Sequence, residues 1–459
     1  MAAPAQPQQK KALLMTEGSI WKSILLFSVP LILGNMLQQL YNTADSIIVG
    51  NFVGSNALAA VGSSGSPIFL LIGFSQGIAV GAGVVVSQFL GAKDREGAHT
   101  AVHTSLALSA ILGAILTVCG IAVSRALLTA MNTPAEVLED AVLYIRLYFG
   151  GVLFSVVYNM AAGILNAAGN SKRSLLYLGV ASITNIVLDL VLIAGCRMGV
   201  AGAAIATVAA QLISTVACFI YAFAKYPQLR LHREDMRITR GDIRRHVVQG
   251  VPLGLQFSVL AIGIIVMQGV VVQFDMLDGV MVSSSAQMGF GAANKLSNLT
   301  ATPMNALGTA MTSFTAQNLG AGNHDRIRRG ALQALGMMAI IAVAAVSCGL
   351  LLTLNNTYLH IFLSADKITE DTIRFGNTFL YVDYSMYLFL GCVFITRNCV
   401  QGIGRSQFVL GAGAAELVAR IAVCLVLPAA VAGGAVSAAA SPAAFYALCA
   451  ADPMAWIAA

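Results

Sequence analysis

Residues 28–50 read SVPLILGNMLQQLYNTADSIIVG, an apolar stretch of membrane-spanning length in which four polar side chains recur at helical spacing. Steps of three, four and three residues separate these side chains, which are Asn35, Gln38, Asn42 and Asp45. This spacing places all four on one face of a helix. A carboxylate inside a membrane helix is costly unless it faces a cavity or a partner, so Asp45 is a candidate functional residue.

A second acid lies in a similar environment. Asp189 occurs in LLYLGVASITNIVLDLVLIAG, and Asn185 precedes it by one helical turn. Neither apolar stretch contains a basic residue near its acid. Two acids predicted to lie in a membrane indicate a path for protons or cations.

The composition supports the membrane assignment. The chain has 459 residues, of which 58% are hydrophobic and 10% are charged, and its mean hydropathy is +0.79. Soluble domains carry about 25% charged residues, so a soluble globule is excluded and an all-α polytopic membrane protein is predicted. The eight cysteines form no CxxC pair and no cluster with histidine at metal-ligand spacing. They are expected to be apolar fillers, and neither a bound metal centre nor a cofactor is predicted.

Twelve apolar runs divide the chain into two sets of six. The first set predicts an N-lobe of helices 1–6 over residues 20–224, after a polar tail at 1–19. A basic linker at 225–245 leads to a predicted C-lobe of helices 7–12 over residues 246–459. The runs lie near 20–49, 56–90, 100–123, 141–168, 174–196, 199–224, 246–274, 280–318, 331–355, 372–401, 407–430 and 444–459. The last run is short of a full crossing, so helix 12 is expected to be incomplete and poorly anchored.

The distribution of lysine and arginine predicts the orientation. Eighteen of these residues fall in the tail, the linker and the loops on one side, whereas the opposite loops hold Arg125, Arg197 and Lys367. The positive-inside rule therefore places the N-terminus and the linker in the cytoplasm of a multi-pass protein of the plasma or inner membrane. The basic linker has no interleaved aromatic residues, so the lipid bilayer rather than nucleic acid is the expected partner. A monomer is expected.

The two halves are related by an internal repeat. Four matched segments occur in the same order, and their offset drifts slowly from 222 to 235 residues. They are SVPLILG with GVPLGLQ, SQFLGAKDREGA with AQNLGAGNHDRIRRGA, TPAEVLEDAVLYIR with SADKITEDTIRFGN, and LNAAGNSK with VQGIGRSQ. An even number of spans per unit makes the repeats parallel, which is a transporter arrangement with substrate held between the halves. A structural duplication without transport is the alternative.

The repeat shows where the halves differ. The polar face of the first helix aligns with apolar residues of the seventh, and Asp45 aligns with Met267. Asn185 and Asp189 likewise align with Leu417 and Ile421. Ion chemistry is therefore predicted in the first half alone. The alternative, that these groups only hydrogen-bond helices together, suits Asn and Gln better than two carboxylates.

The second half carries its own charged and polar residues. Glu416 and Arg420 are spaced i, i+4 and are predicted to form a structural ion pair. Lys295, Asp383 and Gln256 are candidates to line a cavity in the C-lobe, where Asp383 is either a second cation contact or simply hydrated. Arg397 is placed near the cytoplasmic end of its helix, where it is expected to extend toward the interface.

Several segments together resemble the multidrug and toxic compound extrusion transporters, in particular the bacterial DinF-like and drug-efflux branch. The segments are Pro30 with YNTADSIIVG, then SQFLGAKD, GNSK, NIVLDLVLI followed by GVAGAAIAT, and RNCVQGIGRS. The resemblance implies twelve helices in two six-helix bundles around a central cavity. It also implies export of organic, often cationic, compounds in exchange for H⁺ or Na⁺. The cation site that it implies in the N-lobe consists of Asp45, Asn185, Asp189, Thr207 and Tyr144.

One departure from the family concerns the seventh helix, where VPLGLQFSVLAIGIIVMQ lacks the acid that binds sodium in some members. The hypothesis is therefore antiport by alternating access, with a proton or Na⁺ held by Asp45 and Asp189 in the N-lobe. Bending of the first helix at Pro30 would couple to this site, unless Pro30 makes only a static kink. The apolar wall of the cavity, with its Met and aromatic side chains, would bind varied organic molecules.

Three other functions are weighed against antiport. A lipid-linked saccharide flippase of the same superfamily would need several basic cavity residues, and only Lys295 and Arg397 are candidates. An intramembrane enzyme is disfavoured because the chain has no HExxH or GxSxG segment. A channel is disfavoured by the two-lobe repeat. The choice between H⁺ and Na⁺ and the identity of the substrate stay open.

Overall fold

The computed structural model describes residues 15–131, 133, 135–225 and 238–459. The predicted tail and linker therefore lie largely outside the described residues. Seven α-helices form the N-terminal half. They are α1 (Ile20–Phe52), α2 (Ser55–Gly91), α3 (Arg95–Ala130), α4 (Ala135–Gly150), α5 (Val152–Ala167), α6 (Ser171–Asp189) and α7 (Gly199–Lys225).

The C-terminal half follows the same order of long helices. A short antiparallel β-hairpin connects the first two helices of this half. Its strands, β1 (Met276–Leu277) and β2 (Val280–Met281), have two residues each. The helices are α8 (Arg240–Gln273), α9 (Ser285–Gly320), α10 (His324–Leu354), α11 (Thr357–Phe362), α12 (Glu370–Ser385), α13 (Tyr387–Gly402), α14 (Ser406–Ala432), α15 (Pro442–Cys449) and α16 (Ala451–Ala458). The last residues of the predicted linker, 240–245, belong to α8, whose first turn is closed by a capping box of Thr239 and Asp242.

Eight helices within the described residues are long and apolar enough to cross a membrane, and two bent helix pairs raise that number to ten. The bent pairs are α4 with α5, at 50°, and α12 with α13, at 55°. The sequence predicted each pair as one span, at 141–168 and 372–401. Both breaks occur at equivalent positions of the repeat, near Gly151 and Met386, so the bend is a shared feature of the two halves. The protein is an all-α polytopic membrane protein.

The repeated polar segments form equivalent turns. Lys93 and Gly322 both have positive φ, of 58° and 72°, in the α2–α3 and α9–α10 turns. Gly169 and Gly404, with φ of 79° and 86°, occupy the matching α5–α6 and α13–α14 turns. Side-chain hydrogen bonds join these turns, as described below, so they lie on one side of the molecule. This side is called the linker side, because α7 ends and α8 begins there.

The first helix packs on both halves. Ile24 and Phe27, near its start, belong to the hydrophobic core of the C-terminal half, together with residues of α8, α9 and α10. Ile48 and Val49, near its end, pack in a core of the N-terminal half. Pro30 is buried and lies between these two regions of α1. A bend at Pro30 would therefore change how the halves sit relative to each other.

A seam of glycines joins α2 of the N-terminal half to α8 of the C-terminal half. A Cβ added at Gly81 would lie 2.5 Å from the Gly250 Cα, and one added at Gly77 would overlap the Gly254 backbone. The two helices thus cross backbone to backbone. The sequence carries the signal for this crossing, since Gly77 and Gly81, and Gly250 and Gly254, are each spaced i, i+4 as in GxxxG helix pairs.

The last predicted span, 444–459, consists of the short helices α15 and α16. Its expected poor anchoring is wrong, because Phe445 and Leu448 are buried in the C-terminal core. The Phe445 ring packs edge-on against Phe274 and Phe375, with centroid distances of 5.1 and 4.6 Å. Aromatic packing therefore holds these helices although neither is long enough to cross a membrane.

Candidate functional site

Asp45 and Asp189 face each other between two helices of the N-terminal half. Asp45 lies in the second half of α1, and Asp189 is the last residue of α6. The two carboxyl groups lie close to each other. Asp189 is completely buried and Asp45 is partly buried. Within the described part of the chain, neither acid forms an ion pair with lysine or arginine.

Asn185 and Thr207 extend this site. The Asn185 Nδ2 donates to the Thr207 Oγ1 at 3.3 Å, and the Thr207 hydroxyl donates to the Ala203 carbonyl oxygen at 3.0 Å. This arrangement uses the amide nitrogen of Asn185 and leaves its oxygen free to accept. Asn185 lies one helical turn before Asp189 on α6, so its oxygen is on the same face as the carboxylate.

Four buried oxygens of the site have no hydrogen-bond donor among the described residues. They are Asp45 Oδ1, Asn185 Oδ1, Asp189 Oδ1 and Asp189 Oδ2. Buried polar atoms without partners are uncommon in proteins and costly. A site with two close carboxyl groups, an amide oxygen and no basic partner is suited to a proton or to a hard cation, which prefers oxygen ligands.

The backbone changes its winding directly after Asp189. Residues Leu190–Gly195 form a π-helical segment that ends with the Cys196 N–H donating to the Val191 carbonyl oxygen at 2.8 Å. Such segments are rare and occur often at functional sites. Ile193 of this segment is buried in a core that also contains Val49 of α1 and Val200 of α7, and its side chain lies next to Gly202 of α7. The sequence gives no signal for this change.

Tyrosines surround the acid pair. Tyr144 of α4 is buried and lies near both carboxyl groups, and Tyr41 lies one turn before Asp45 on α1. Tyr144, which the family resemblance implies as part of the cation site, thus lies near both acids. Tyr41 was not predicted, although its position one turn from Asp45 could have indicated it.

The remaining residues of the polar face of α1 are more open. Asn35 and Gln38 are half-buried, and Asn42 is exposed. Gln38 lies close to the Tyr41 side chain. The polar face thus runs along α1 from Asn35 to Asp45 and becomes more exposed at Asn42.

The C-terminal half contains a different buried acid. Asp383 of α12 is 2% exposed, so the alternative that it is simply hydrated is wrong. The Ser297 hydroxyl donates to its Oδ2 at 2.5 Å. The Tyr387 hydroxyl lies 3.0 Å from the Ser297 Oγ and 2.9 Å from the Thr300 Oγ1, so this carboxyl group belongs to a hydroxyl network.

The other charges of this half form a buried ionic cluster. The Glu416 carboxylate binds Arg397 at 2.6 Å and Arg420 at 3.2 Å, and Arg420 also binds Asp452 at 2.9 Å. The predicted Glu416–Arg420 contact is present but is one part of a larger network. The expectation that Arg397 extends to the interface is wrong, because its side chain is only 11% exposed and finds a carboxylate on the neighbouring helix. Asp452 was not predicted.

The three candidate cavity residues of the C-terminal half have separate neighbours. Lys295 is exposed and its Nζ lies 5.6 Å from the centre of the Phe362 ring. Gln256 is buried where α8 passes Gly413 of α14. Asp383 contacts Ser297, as described above. The structure therefore gives no common site for these three side chains, in contrast to the acid pair of the N-terminal half.

Comparisons with known proteins agree with this architecture. The MatE family model matches residues 30–191 and 263–426, one segment in each half. Two probable multidrug resistance proteins of Bacillus subtilis (strain 168) are similar along most of the chain. YpnP is 30% identical over 407 residues, covering 87% of this chain and 86% of its own, and YoeA is 29% identical over 390 residues, covering 84% and 82%.

Solved structures share the fold. A crystal structure of MATE in the straight conformation has a TM-score of 0.85 and 25% identity, and covers 98% of this chain and 96% of the other. The outward-facing conformation of a multidrug resistance MATE family transporter of the MOP superfamily also has a TM-score of 0.85, at 24% identity. The chain therefore belongs to the MatE family, a family of transporters rather than enzymes.

Proposed function

We propose that this protein exports organic small molecules in exchange for a proton or Na⁺ that binds at Asp45 and Asp189. The observation that supports this most directly is the set of four buried acceptor oxygens that lack a donor. Two close carboxylates repel each other when both are charged. A proton shared between them, or a cation coordinated by them, removes this repulsion and supplies the missing partner.

The class of cargo follows from the relatives. The Bacillus subtilis proteins are probable multidrug resistance proteins, and they match this chain over more than four fifths of its length. Varied organic compounds, including cations, are therefore the proposed substrates. The repeat supports alternating access, in which an N-lobe at 20–224 and a C-lobe at 246–459 move against each other around the bound molecule.

Coupling runs through α1. Asp45 is on this helix, whereas Asp189 and Asn185 are on α6, so a bound ion holds the second half of α1 against α6. The first half of α1, with Ile24 and Phe27, packs on the C-terminal half. Loading and release of the ion thus change the contact between α1 and α6. A bend at Pro30 allows the second part of α1 to move with the ion while the first part stays packed on the C-terminal half.

The flippase alternative receives no support from the basic residues. Arg397 and Arg420 are engaged by Glu416 and Asp452, and Lys295 packs over Phe362. A pyrophosphate group would have to displace these carboxylates before it could bind the arginines.

The test uses purified protein in proteoliposomes, with export of a cationic dye driven by a pH gradient or by a Na⁺ gradient imposed separately. Asp45→Asn removes one carboxylate at nearly constant volume, and we expect it to abolish gradient-driven export. Asp140→Asn is the matched control, since Asp140 is exposed on α4, and it should transport normally. The gradient that drives the wild-type protein identifies the ion.

Full gradient-driven export by Asp45→Asn would contradict the proposed coupling. Dye binding by the same variant, measured without a gradient, separates a lost coupling step from a lost substrate site. Retained binding with lost export is the expected combination.

A further inference from the structure

Two glutamines reach across from one half of the protein to the other on the linker side. Gln88, near the end of α2, donates through its Nε2 to the Gly402 carbonyl oxygen at 3.2 Å. Gln317, near the end of α9, donates through its Nε2 to the Ala167 carbonyl oxygen at 2.8 Å. Each donor and its acceptor belong to different halves of the chain, so these bonds join the halves directly.

The two contacts are the same contact repeated. Gln88 and Gln317 are equivalent in the repeat, at an offset of 229 residues in SQFLGA and AQNLGA. Ala167 and Gly402 are also equivalent, at an offset of 235 residues. Each half therefore provides one glutamine and accepts the glutamine of the other half at the end of its bent helix pair.

Backbone contacts between α2 and α9 follow the same reciprocal pattern. A Cβ added at Gly91 would overlap the Gln317 carbonyl, and one added at Gly320 would overlap the Gln88 carbonyl. Gly91 and Gly320 are again equivalent in the repeat. The QxLG sequence at 88–91 and 317–320 thus brings the two helix ends together without side chains between them.

The two bonds differ in burial, because the Gln317 bond is buried and the Gln88 bond is partly buried. Gln317 is completely buried and Gln88 is half-buried. Both polar atoms of the Gln317 side chain are bonded, because its Oε1 accepts the Met15 N–H at 2.8 Å. Buried hydrogen bonds that must open together cost more to break than exposed ones.

We propose that Gln88 and Gln317 form a paired clasp that closes the linker side of the transporter and must open as a unit before the central cavity reaches that side. The inference rests on the proposed function only in that alternating access requires this side to open. Because the two bonds are equivalent and adjacent, loss of either one should loosen both turns.

The test is hydrogen–deuterium exchange measured by mass spectrometry on the full chain in lipid nanodiscs. Gln88→Met and Gln317→Met remove the amide donors while keeping side-chain length. We expect backbone amides in 86–92, 167–170, 315–322 and 402–406 to exchange about three- to tenfold faster in either variant. Gln333→Met, at an exposed glutamine of α10, is the control and should leave these segments unchanged.

Two internal measurements keep the outcome clear. Exchange in the buried part of α4, at 141–149, and the melting temperature report whether a variant is folded. Faster exchange at all four segments in both folded variants supports the clasp. Unchanged exchange, or loosening confined to the turn that lost its own bond, overturns it. Neither result depends on transport, so the clasp and the ion coupling at Asp45 can fail separately.

Discussion

Burial of an acid does not by itself mark a functional residue in this protein. Asp275 is completely buried, yet its carboxylate accepts from the Ala286 and Gln287 N–H groups at 3.0 and 2.9 Å and thereby caps the start of α9. Glu416 is buried between two arginines. Asp189 differs from both, because neither of its oxygens has a donor in the described chain.

The Thr207 hydroxyl is expected to set the affinity of the proposed ion site. Thr207→Val removes the hydroxyl at nearly constant volume, so the Asn185 amide loses its acceptor and its oxygen is no longer held in place. We expect the ion concentration for half-maximal export to rise about tenfold, in line with the loss of roughly one hydrogen bond. Initial export rates over a series of imposed gradients measure this value.

Thr207→Ser is the matched variant for this experiment, since it keeps the hydroxyl. Wild-type behaviour of Thr207→Ser together with impaired Thr207→Val supports the positioning role. Equal behaviour of both variants would remove Thr207 from the site.

The sequence predicted which residues of the candidate site share a helix face or a half of the chain, because a single helix or the repeat carries that information. Helical spacing grouped Asn185 with Asp189, and the repeat assigned both acids to the first half. It could not predict that Arg397 pairs with Glu416, or that Arg420 reaches Asp452, because those partners lie on different helices. Contacts of that kind depend on how helices pack, which local spacing does not encode.

At the scale of helices, the crossing of α2 and α8 defines how closely the halves approach. Gly77 and Gly254 leave no room for a side chain between the two backbones. Helices that meet in this way rely on close packing, because lipid provides no hydrophobic force between them.

Substitution in this seam should therefore destabilise the protein. Gly77→Ala places a Cβ against the Gly254 backbone, which can yield only if the helices separate, and we expect a loss of about 1–3 kcal/mol. Gly65→Ala on the same helix is the control, because its Cβ would meet open space. Thermal unfolding in detergent, followed by circular dichroism, compares the two, and equal melting temperatures would show that the seam tolerates separation.

The helices themselves were largely predictable, and their breaks were not. Apolar runs located every long helix, with ends that differ from the structure by up to seven residues, because the length of a membrane span is a strong constraint. The breaks at Gly151 and Met386 lie inside continuous apolar runs, and hydropathy carries no information about a bend there. The GxxxG spacing of α2 and α8 was visible in the sequence but indicated a contact only once both helices were placed side by side.

At the scale of the whole molecule, the turns that join the halves all lie on the linker side, which is also the basic side. The positive-inside rule therefore predicts that the clasp of Gln88 and Gln317 faces the cytoplasm. Closure at this side leaves the opposite side as the one from which an ion would enter.

A reporter experiment in a bacterial host tests this orientation. Green fluorescent protein inserted between Lys225 and Arg240 should fluoresce, because it folds in the cytoplasm. The same insertion in the 355–357 turn, between α10 and α11, should not fluoresce, and alkaline phosphatase at each site should give the reverse pattern. Fluorescence from the 355–357 site would show that the chain is inserted the other way round.

The segment before α1 has a practical consequence for following motion in this transporter. The Arg326 guanidinium of α10 donates to the carbonyl oxygens of Met15, Glu17 and Gly18, at 3.2, 3.0 and 2.9 Å. A dye attached at the exposed Glu17 would therefore move with the C-terminal half, although Glu17 directly precedes the N-terminal half in the chain. Distance measurements that assign such a label to the N-terminal half from its chain position would therefore attribute motion of the C-terminal half to the N-terminal half.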